Sequence, residues 1–148
     1  MTGRILQKLV LTVCLSGLFG LTAVSSGHAG NLPPKVNWML NCQGCHKPDA
    51  SGVDGEVPSM NGYVSKFLTV DGGREYLSRV PGVAFSPLSD QQTAELLNWM
   101  LATYDPENLP RDFKPYKEEE VHRLRQDPLM TDAAPAARQH LMDKLAAQ

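Results

Sequence analysis

The chain has 148 residues, of which 42% are hydrophobic and 7% aromatic, with three cysteines and a formal net charge of −2 at pH 7. This length suits one small domain with appendages and leaves no room for a large two-domain enzyme. The near balance of charge argues against a nucleic-acid-binding protein, which would need a basic face, and an odd number of cysteines does not suit a framework of paired disulfides.

The N-terminal residues have the layout of a secretory signal peptide. Basic residues precede an apolar stretch at residues 9–24, and small residues follow it as far as Ala29. We predict that residues 1–29 are a signal peptide, that the protein is periplasmic, and that no stable membrane span remains after cleavage. A retained membrane anchor is the alternative, but sixteen residues fall short of the roughly 20 that a spanning helix needs. Cleavage also removes Cys14, so two cysteines remain.

A first helix is predicted to begin at the prolines of residues 33–34 and to lead into a cysteine motif. Proline suits the first turn of a helix. The motif at residues 42–46 reads Cys-Gln-Gly-Cys-His. Its two thiols can form thioethers with the two vinyl groups of a haem, and the adjacent histidine is placed to ligate the iron. We therefore predict one covalent haem c, attached through Cys42 and Cys45, with His46 as the proximal iron ligand.

Three other chemistries use cysteines at this spacing. A thioredoxin-like redox pair would follow a strand in a βαβ unit, whereas the segment before Cys42 is predicted to be helical. A zinc site needs a second pair of ligands, and no other cysteine remains after cleavage. A structural disulfide would have to close a very short loop and would leave His46 unexplained. The motif and the export signal together favour haem attachment.

Aromatic and leucine residues on both sides of the motif extend this interpretation. Trp38 stands four residues before Cys42, and the predicted helix before residue 105 contains Leu96 and Trp99. In these features the chain resembles the monohaem, class I type of c-type cytochrome, over roughly residues 34–104. The resemblance implies an all-α fold, with a small cytochrome c-like helical domain around one covalently attached haem and a helical C-terminal extension.

A second stretch, Pro-Ser-Met-Asn-Gly from Pro58 to Gly62, is similar to the Pro-x-Leu/Met-x-Gly stretch of that family. There the proline carbonyl typically supports the proximal histidine, so the resemblance places Pro58 beside His46 as a haem-binding residue. The chain departs from the family pattern on the loop before the last helix. Class I carriers usually have a methionine there, often followed by proline, and this chain has valine and proline at residues 80–81.

Several residues are therefore candidates for the sixth iron ligand. No methionine occurs from residue 61 to 99. Met60 could supply a thioether, whereas Met100 lies on the apolar face of a predicted helix and suits packing better. His122 and His140 would require the C-terminal segment to fold back over the haem, and an open position is the remaining alternative. We rank Met60 first, an open position second and His122 third.

The helix that closes the haem domain has clear start and stop signals. Ser89 followed by Gln92 predicts a capping box, and apolar residues then recur at helical spacing as far as Tyr104. The Asp-Pro pair at residues 105–106 ends the helix. Two shorter helices are predicted on either side of a turn at the glycines of residues 72–73.

The sequence divides into three parts: the signal peptide, a haem domain at residues 30–104, and a C-terminal extension at residues 105–148. The extension begins with a proline-containing linker and continues with predicted helices at residues 116–126 and 132–147. Its helices are weakly amphipathic and charged, which is typical of solvated faces. We consider a docking role against a partner oxidoreductase as a hypothesis.

Two functions follow from these features. The first is a periplasmic electron carrier between a dehydrogenase or other redox partner and a downstream acceptor, without catalytic residues and not an enzyme. The second is a haem protein with an open distal site, either a small-ligand sensor or a minor peroxidase. Arg74 and Arg79 could serve as polar distal groups or pair with haem propionates. The simplest interpretation of each residue is an ordinary surface arginine.

Overall fold

The computed structural model describes residues 31–148, so the predicted signal peptide and Cys14 lie outside the described residues. The α-helices of this part are α1 (Pro34–Asn41), α2 (Gly73–Arg79), α3 (Pro81–Ala84), α4 (Asp90–Tyr104), α5 (Glu118–Arg125) and α6 (Ala134–Ala146), and two 3₁₀ helices span Val64–Thr69 and Pro106–Asn108. Between residues 31 and 148 no strand forms, and the extended pairing there is an isolated bridge between Val53 and Val57. The predicted all-α fold is confirmed. Over the same residues, none of the helices has the length and apolar character that a membrane span requires.

Helix α4 is the central element, and its predicted boundaries are confirmed. The Ser89 side chain accepts a hydrogen bond from the Gln92 backbone, while the Gln92 side chain accepts one from the Ser89 backbone. This capping box satisfies backbone donors that the first turn of a helix leaves free. The helix ends at Tyr104, before the predicted stop, and both α1 and α5 pack against it.

The two glycines at residues 72–73 form the predicted turn, for two different reasons. Gly72 has a φ of +84°, a left-handed conformation that glycine adopts without a steric penalty. Gly73 begins α2 so close to the preceding 3₁₀ helix that a Cβ atom would lie 1.8 Å from the carbonyl oxygen of Phe67. Helix α3 follows α2 almost directly and has no counterpart among the predicted elements.

The C-terminal extension folds onto the rest of the described chain. Helix α5 packs against α4 and α2, and α6 packs against α2 and the 3₁₀ helix at Val64–Thr69. Tyr116, Val121 and Leu141 from this extension are buried in the same hydrophobic core as residues of α1 and α4. The apolar faces that motivated the docking hypothesis are therefore used within the chain.

Candidate haem site

The Cys-x-x-Cys-His motif continues directly from the end of α1. The Cys42 N–H donates to the Trp38 carbonyl at 2.9 Å, and the His46 N–H donates to the Cys42 carbonyl at 2.8 Å. These hydrogen-bonded turns continue the helical conformation of α1 into the motif. Cys42 is half-buried, Cys45 is exposed, and the two do not form a disulfide. The backbone thus holds both thiols and the imidazole on one short, hydrogen-bonded segment.

The surroundings of the Cys42 thiol work against its ionisation. Burial, together with the nearby Cys45 thiol, raises the pKa of Cys42 to about 11. Redox-active Cys-x-x-Cys pairs instead have lowered pKa values, since the thiolate is the reactive form. This environment therefore disfavours a thioredoxin-like dithiol. It is compatible with thiols that serve as attachment points for a haem.

His46 lies in a setting that suits an iron ligand. Its ring is half-buried and packs against Trp38 with a centroid distance of 5.8 Å. Burial lowers its pKa, which favours the neutral imidazole that coordinates metals. Within residues 31–148 its buried Nδ1 atom has no hydrogen-bond partner. A neutral histidine beside two cysteines that form no disulfide fits a covalently bound haem.

An aromatic cluster anchors this histidine to the core. Trp38 is 1% exposed and contacts Tyr104 and Trp99 of α4, with centroid distances of 4.9 and 6.3 Å. The Tyr104 hydroxyl donates to the Pro48 carbonyl at 3.3 Å, just beyond the motif. The aromatic residues expected on the first and last helices of the domain therefore meet behind His46 and fix α1 against α4.

Pro58 and Met60 lie on the loop after the motif. Pro58 is exposed, and its carbonyl does not form a hydrogen bond with the His46 Nδ1 atom. Its support of His46 thus stays a prediction for the protein with haem bound. Met60 is partly buried against the core, and its N–H donates to the Ala50 carbonyl at 3.0 Å. The loop is therefore tied back toward the motif.

The other candidates for the sixth ligand occupy different environments. Met100 is 5% exposed and belongs to the core, as its position on the apolar face predicts. The His122 Nδ1 atom lies 2.8 Å from Asp90 Oδ2, where α5 meets the start of α4. His140 is exposed on α6. The contacts of Met100 and His122 are thus explained by core packing and by a hydrogen bond within the chain.

Comparison with known proteins shows the family of this chain. Over an alignment of 118 residues, the chain is 31% identical to cytochrome c-552 of Thermus thermophilus, with 68% of this chain and 90% of that protein covered. A second cytochrome c-552 of the same species is also 31% identical, with 68% and 80% covered. No protein-family model matches the chain. The chain belongs to the c-type cytochromes.

This membership confirms the resemblance to monohaem c-type cytochromes and the predicted haem c cofactor. This cytochrome carries covalently bound haem c and acts in electron transfer. An electron-transfer protein exchanges electrons with redox partners. When bound, the haem supplies one-electron chemistry, and the protein sets its ligation and surroundings.

Arg74 and Arg79 are both engaged by the C-terminal extension. Arg74 forms a two-pronged ion pair with Glu120 at 2.6 and 2.8 Å, and its guanidinium stacks 4.0 Å from the Tyr116 ring. Arg79 pairs with Asp127 at 2.6 Å. These partners lie more than forty residues away along the chain. The two arginines thus attach the extension to α2.

Sequence reasoning missed three polar residues that organise this region. Asp105 is buried and accepts hydrogen bonds from the Ser65 backbone at 2.8 Å and the Asn108 side chain at 2.6 Å. The Asn98 side chain makes a reciprocal pair of hydrogen bonds with the Tyr116 backbone. Arg125 binds the segment before α4. Apart from the local hydrogen bond between Asp105 and Asn108, these contacts join distant parts of the chain, so no local pattern signals them.

Proposed function

We propose that this cytochrome is a periplasmic carrier of single electrons, which it receives from a dehydrogenase or other redox partner and passes to a downstream acceptor. In this proposal Cys42 and Cys45 hold the haem through thioethers and His46 is the proximal iron ligand. The N-terminal signal sequence supports the periplasmic location. The observation that carries the proposal is the motif at the end of α1, with two cysteines that form no disulfide and a half-buried imidazole whose pKa is lowered by burial.

The surroundings of the motif favour a carrier over a catalyst. Electron exchange is fastest when the iron keeps its ligands in both oxidation states, which requires a rigid protein frame. His46 stacks on Trp38, which in turn is fixed by α4. A ring packed against an anchored indole is less free to leave its position when the charge on the iron changes. The frame therefore supports a carrier role.

Met60 is our proposed sixth ligand. It is the methionine nearest in sequence to the motif on its C-terminal side, and its loop is tied back to Ala50. A thioether and an imidazole together keep the iron low-spin and raise its reduction potential. The domain proposed to carry this site spans residues 30–104, and residues 105–148 form an extension that packs onto it.

An open distal position is a second candidate, and one observation favours it. Between α2 and α4, where class I members usually supply methionine, residues 80–89 contain only apolar side chains, glycine and serine. None of these coordinates haem iron in the way that methionine or histidine does. A protein with this opening would bind small ligands and could act as a sensor or a minor peroxidase.

Spectra of the purified mature protein separate the two functions. A low-spin iron that, when reduced, ignores added carbon monoxide is the result expected for the carrier. A high-spin iron that binds carbon monoxide quickly would instead establish the open site.

Substitution of Met60 by alanine tests the sixth ligand. If Met60 coordinates the iron, Met60→Ala converts the low-spin spectrum to high-spin and allows carbon monoxide to bind, because alanine offers no donor. Met130→Ala is the matched control, since Met130 is an exposed methionine in the extension, and its spectrum should equal that of the wild type. A Met60→Ala protein with an unchanged low-spin spectrum would exclude Met60.

A further inference from the structure

Helix α1 exposes two apolar side chains immediately before the cysteine motif. Met39 is 52% exposed and Leu40 is 69% exposed, although Trp38 beside them is 1% exposed. A single exposed apolar side chain is ordinary on a protein surface. These two, however, directly precede the segment with the thiols, so their orientation relative to Cys42 decides whether a haem attached there covers them.

Met39 lies on the same side of the helical path as the first thiol. The Cys42 N–H donates to the Trp38 carbonyl at 2.9 Å, and the His46 N–H donates to the Cys42 carbonyl at 2.8 Å. Side chains three or four positions apart on such a path are neighbours, with Cβ atoms about 5–6 Å apart. Met39 precedes Cys42 by three positions and is therefore its neighbour. Leu40 precedes Cys42 by two positions, which places it on a different side of the helix.

A haem bound to Cys42 lies within reach of the Met39 side chain. A thioether joins the Cys42 sulfur directly to a carbon at the edge of the porphyrin. Methionine is unbranched and flexible, so Met39 can extend along its neighbour to that edge. Its polarizable sulfur also makes favourable contacts with aromatic rings. The exposed half of Met39 is thus available to pack on the macrocycle.

The two side chains discriminate between possible occupants of this surface. A haem anchored at Cys42 covers Met39 and leaves Leu40 exposed. A protein that docked on the outer surface of α1, including a second copy of this chain, would cover Leu40, the more exposed of the two. The continuity of the helical path from Met39 into the motif favours the haem.

We propose that Met39 covers the edge of the haem at the Cys42 thioether and raises the reduction potential by excluding water from it. The proposal rests on the proposed attachment of the haem at Cys42 and Cys45. Ferric haem carries an additional positive charge relative to ferrous haem, and water stabilises the more highly charged form. Because the apolar surroundings of a metal site control its access to solvent, they also set its potential. Exclusion of water by Met39 therefore favours the ferrous state.

The first test measures whether the haem covers Met39. The purified, haem-loaded ferric protein is treated with a limiting amount of chloramine-T, which oxidises exposed methionines to sulfoxides, and each methionine is followed by peptide mass spectrometry. Met130 is the internal reference, because its exposed fraction of 58% is close to the 52% of Met39. We expect Met39 to react about fivefold more slowly than Met130. The methionine introduced by Leu40→Met should react as fast as Met130.

Two outcomes of this test would overturn the proposal. Equal rates at Met39 and Met130 would show that Met39 stays exposed when the haem is bound. Slow oxidation both at Met39 and at the methionine introduced by Leu40→Met would show that another molecule, rather than the haem, covers α1. A wild-type protein that retains no covalent haem would refute the proposed function instead.

The second test measures the reduction potential by spectroelectrochemical titration. Met39→Ser should shift the potential downward, because the short hydroxyl side chain admits water to the edge of the haem. Leu40→Ser is the matched control, since it makes a similar change at the neighbouring, more exposed position of α1, and its potential should equal that of the wild type. Met39→Leu keeps an apolar cover and should retain the wild-type potential. The proposal fails if Met39→Ser has the same potential as Leu40→Ser, or if Met39→Leu lowers the potential as much as Met39→Ser.

Discussion

Val121 provides a quantitative test of how the C-terminal extension is bound to the rest of the chain. Its side chain is 0% exposed, on a helix that packs against α4 and α2. Val121→Ala removes two methyl groups, worth about 0.8 kcal/mol each in transfer free energy. It also leaves a cavity of roughly 50 Å³, which costs about 1 kcal/mol more. Alanine recovers about 0.5 kcal/mol through its higher helix propensity.

We therefore expect Val121→Ala to lower the free energy of unfolding by about 2 kcal/mol. Guanidinium unfolding of the haem-loaded protein, followed by far-ultraviolet circular dichroism, measures this quantity. Glu119→Ala, at an exposed position of the same helix, should change it by less than about 0.5 kcal/mol. If the two variants are equally stable, α5 is not packed on the domain, and the account of the extension as part of the core is wrong.

Two further predictions concern a glycine turn and an ion pair. Gly73→Ala should destabilise the protein by about 2 kcal/mol or more, since the new Cβ would meet the Phe67 carbonyl at 1.8 Å. Gly82→Ala is the control, because a Cβ there has no neighbour within 4 Å, and it should change the melting temperature little. Glu120→Gln should cost about 1 kcal/mol at pH 7, because the hydrogen bond from Arg74 lowers the pKa of Glu120 from its usual 4.5 despite an opposing effect of burial. Because the pKa of Glu120 is lower in the folded state, the ionised carboxylate stabilises the fold above pH 4.5. This stabilisation is lost as the pH falls through the folded-state pKa of Glu120. The stability difference between wild type and Glu120→Gln should therefore shrink in acid, and a difference that is independent of pH would contradict this origin.

Local signals predicted the helical frame of the haem domain well. The capping residues Ser89 and Gln92 and the stop after Tyr104 each act within a few residues, so the sequence alone contains the information. The motif at residues 42–46 is equally local, since its chemistry depends on a two-residue gap. Helix α3 was missed because four residues are too few to show a helical period.

The role of the extension was not predictable in the same way. Its apolar residues, such as Val121 and Leu141, are few and widely spaced. This pattern is typical of a helix exposed to solvent. In the structure they are buried because α5 and α6 each contribute a narrow apolar stripe to a core that the rest of the domain completes. The contacts of Arg125 were not predictable from the sequence either. Its guanidinium binds the backbone carbonyls of Ala84, Ser86 and Leu88, and any residue type provides a carbonyl.

The packed extension also changes how its docking role can be tested. Deletion of residues 106–148 would remove buried Tyr116, Val121 and Leu141 together, and so would expose the core of the domain. A loss of partner turnover in such a truncation would report unfolding as much as docking. Substitutions at exposed positions, such as Arg123 or His140, address docking without this consequence.

The measurement that tests the central claim most directly is a spectroelectrochemical titration of the purified mature protein, with a second sample of the same protein treated with acidified acetone to extract any non-covalent haem. We expect that the haem stays with the chain on extraction, that it titrates as a single reversible one-electron couple, and that a Cys42→Ser, Cys45→Ser double variant retains none. Removal of the haem by the extraction, or a wild-type protein without a reversible one-electron couple, would contradict a covalent haem c electron carrier.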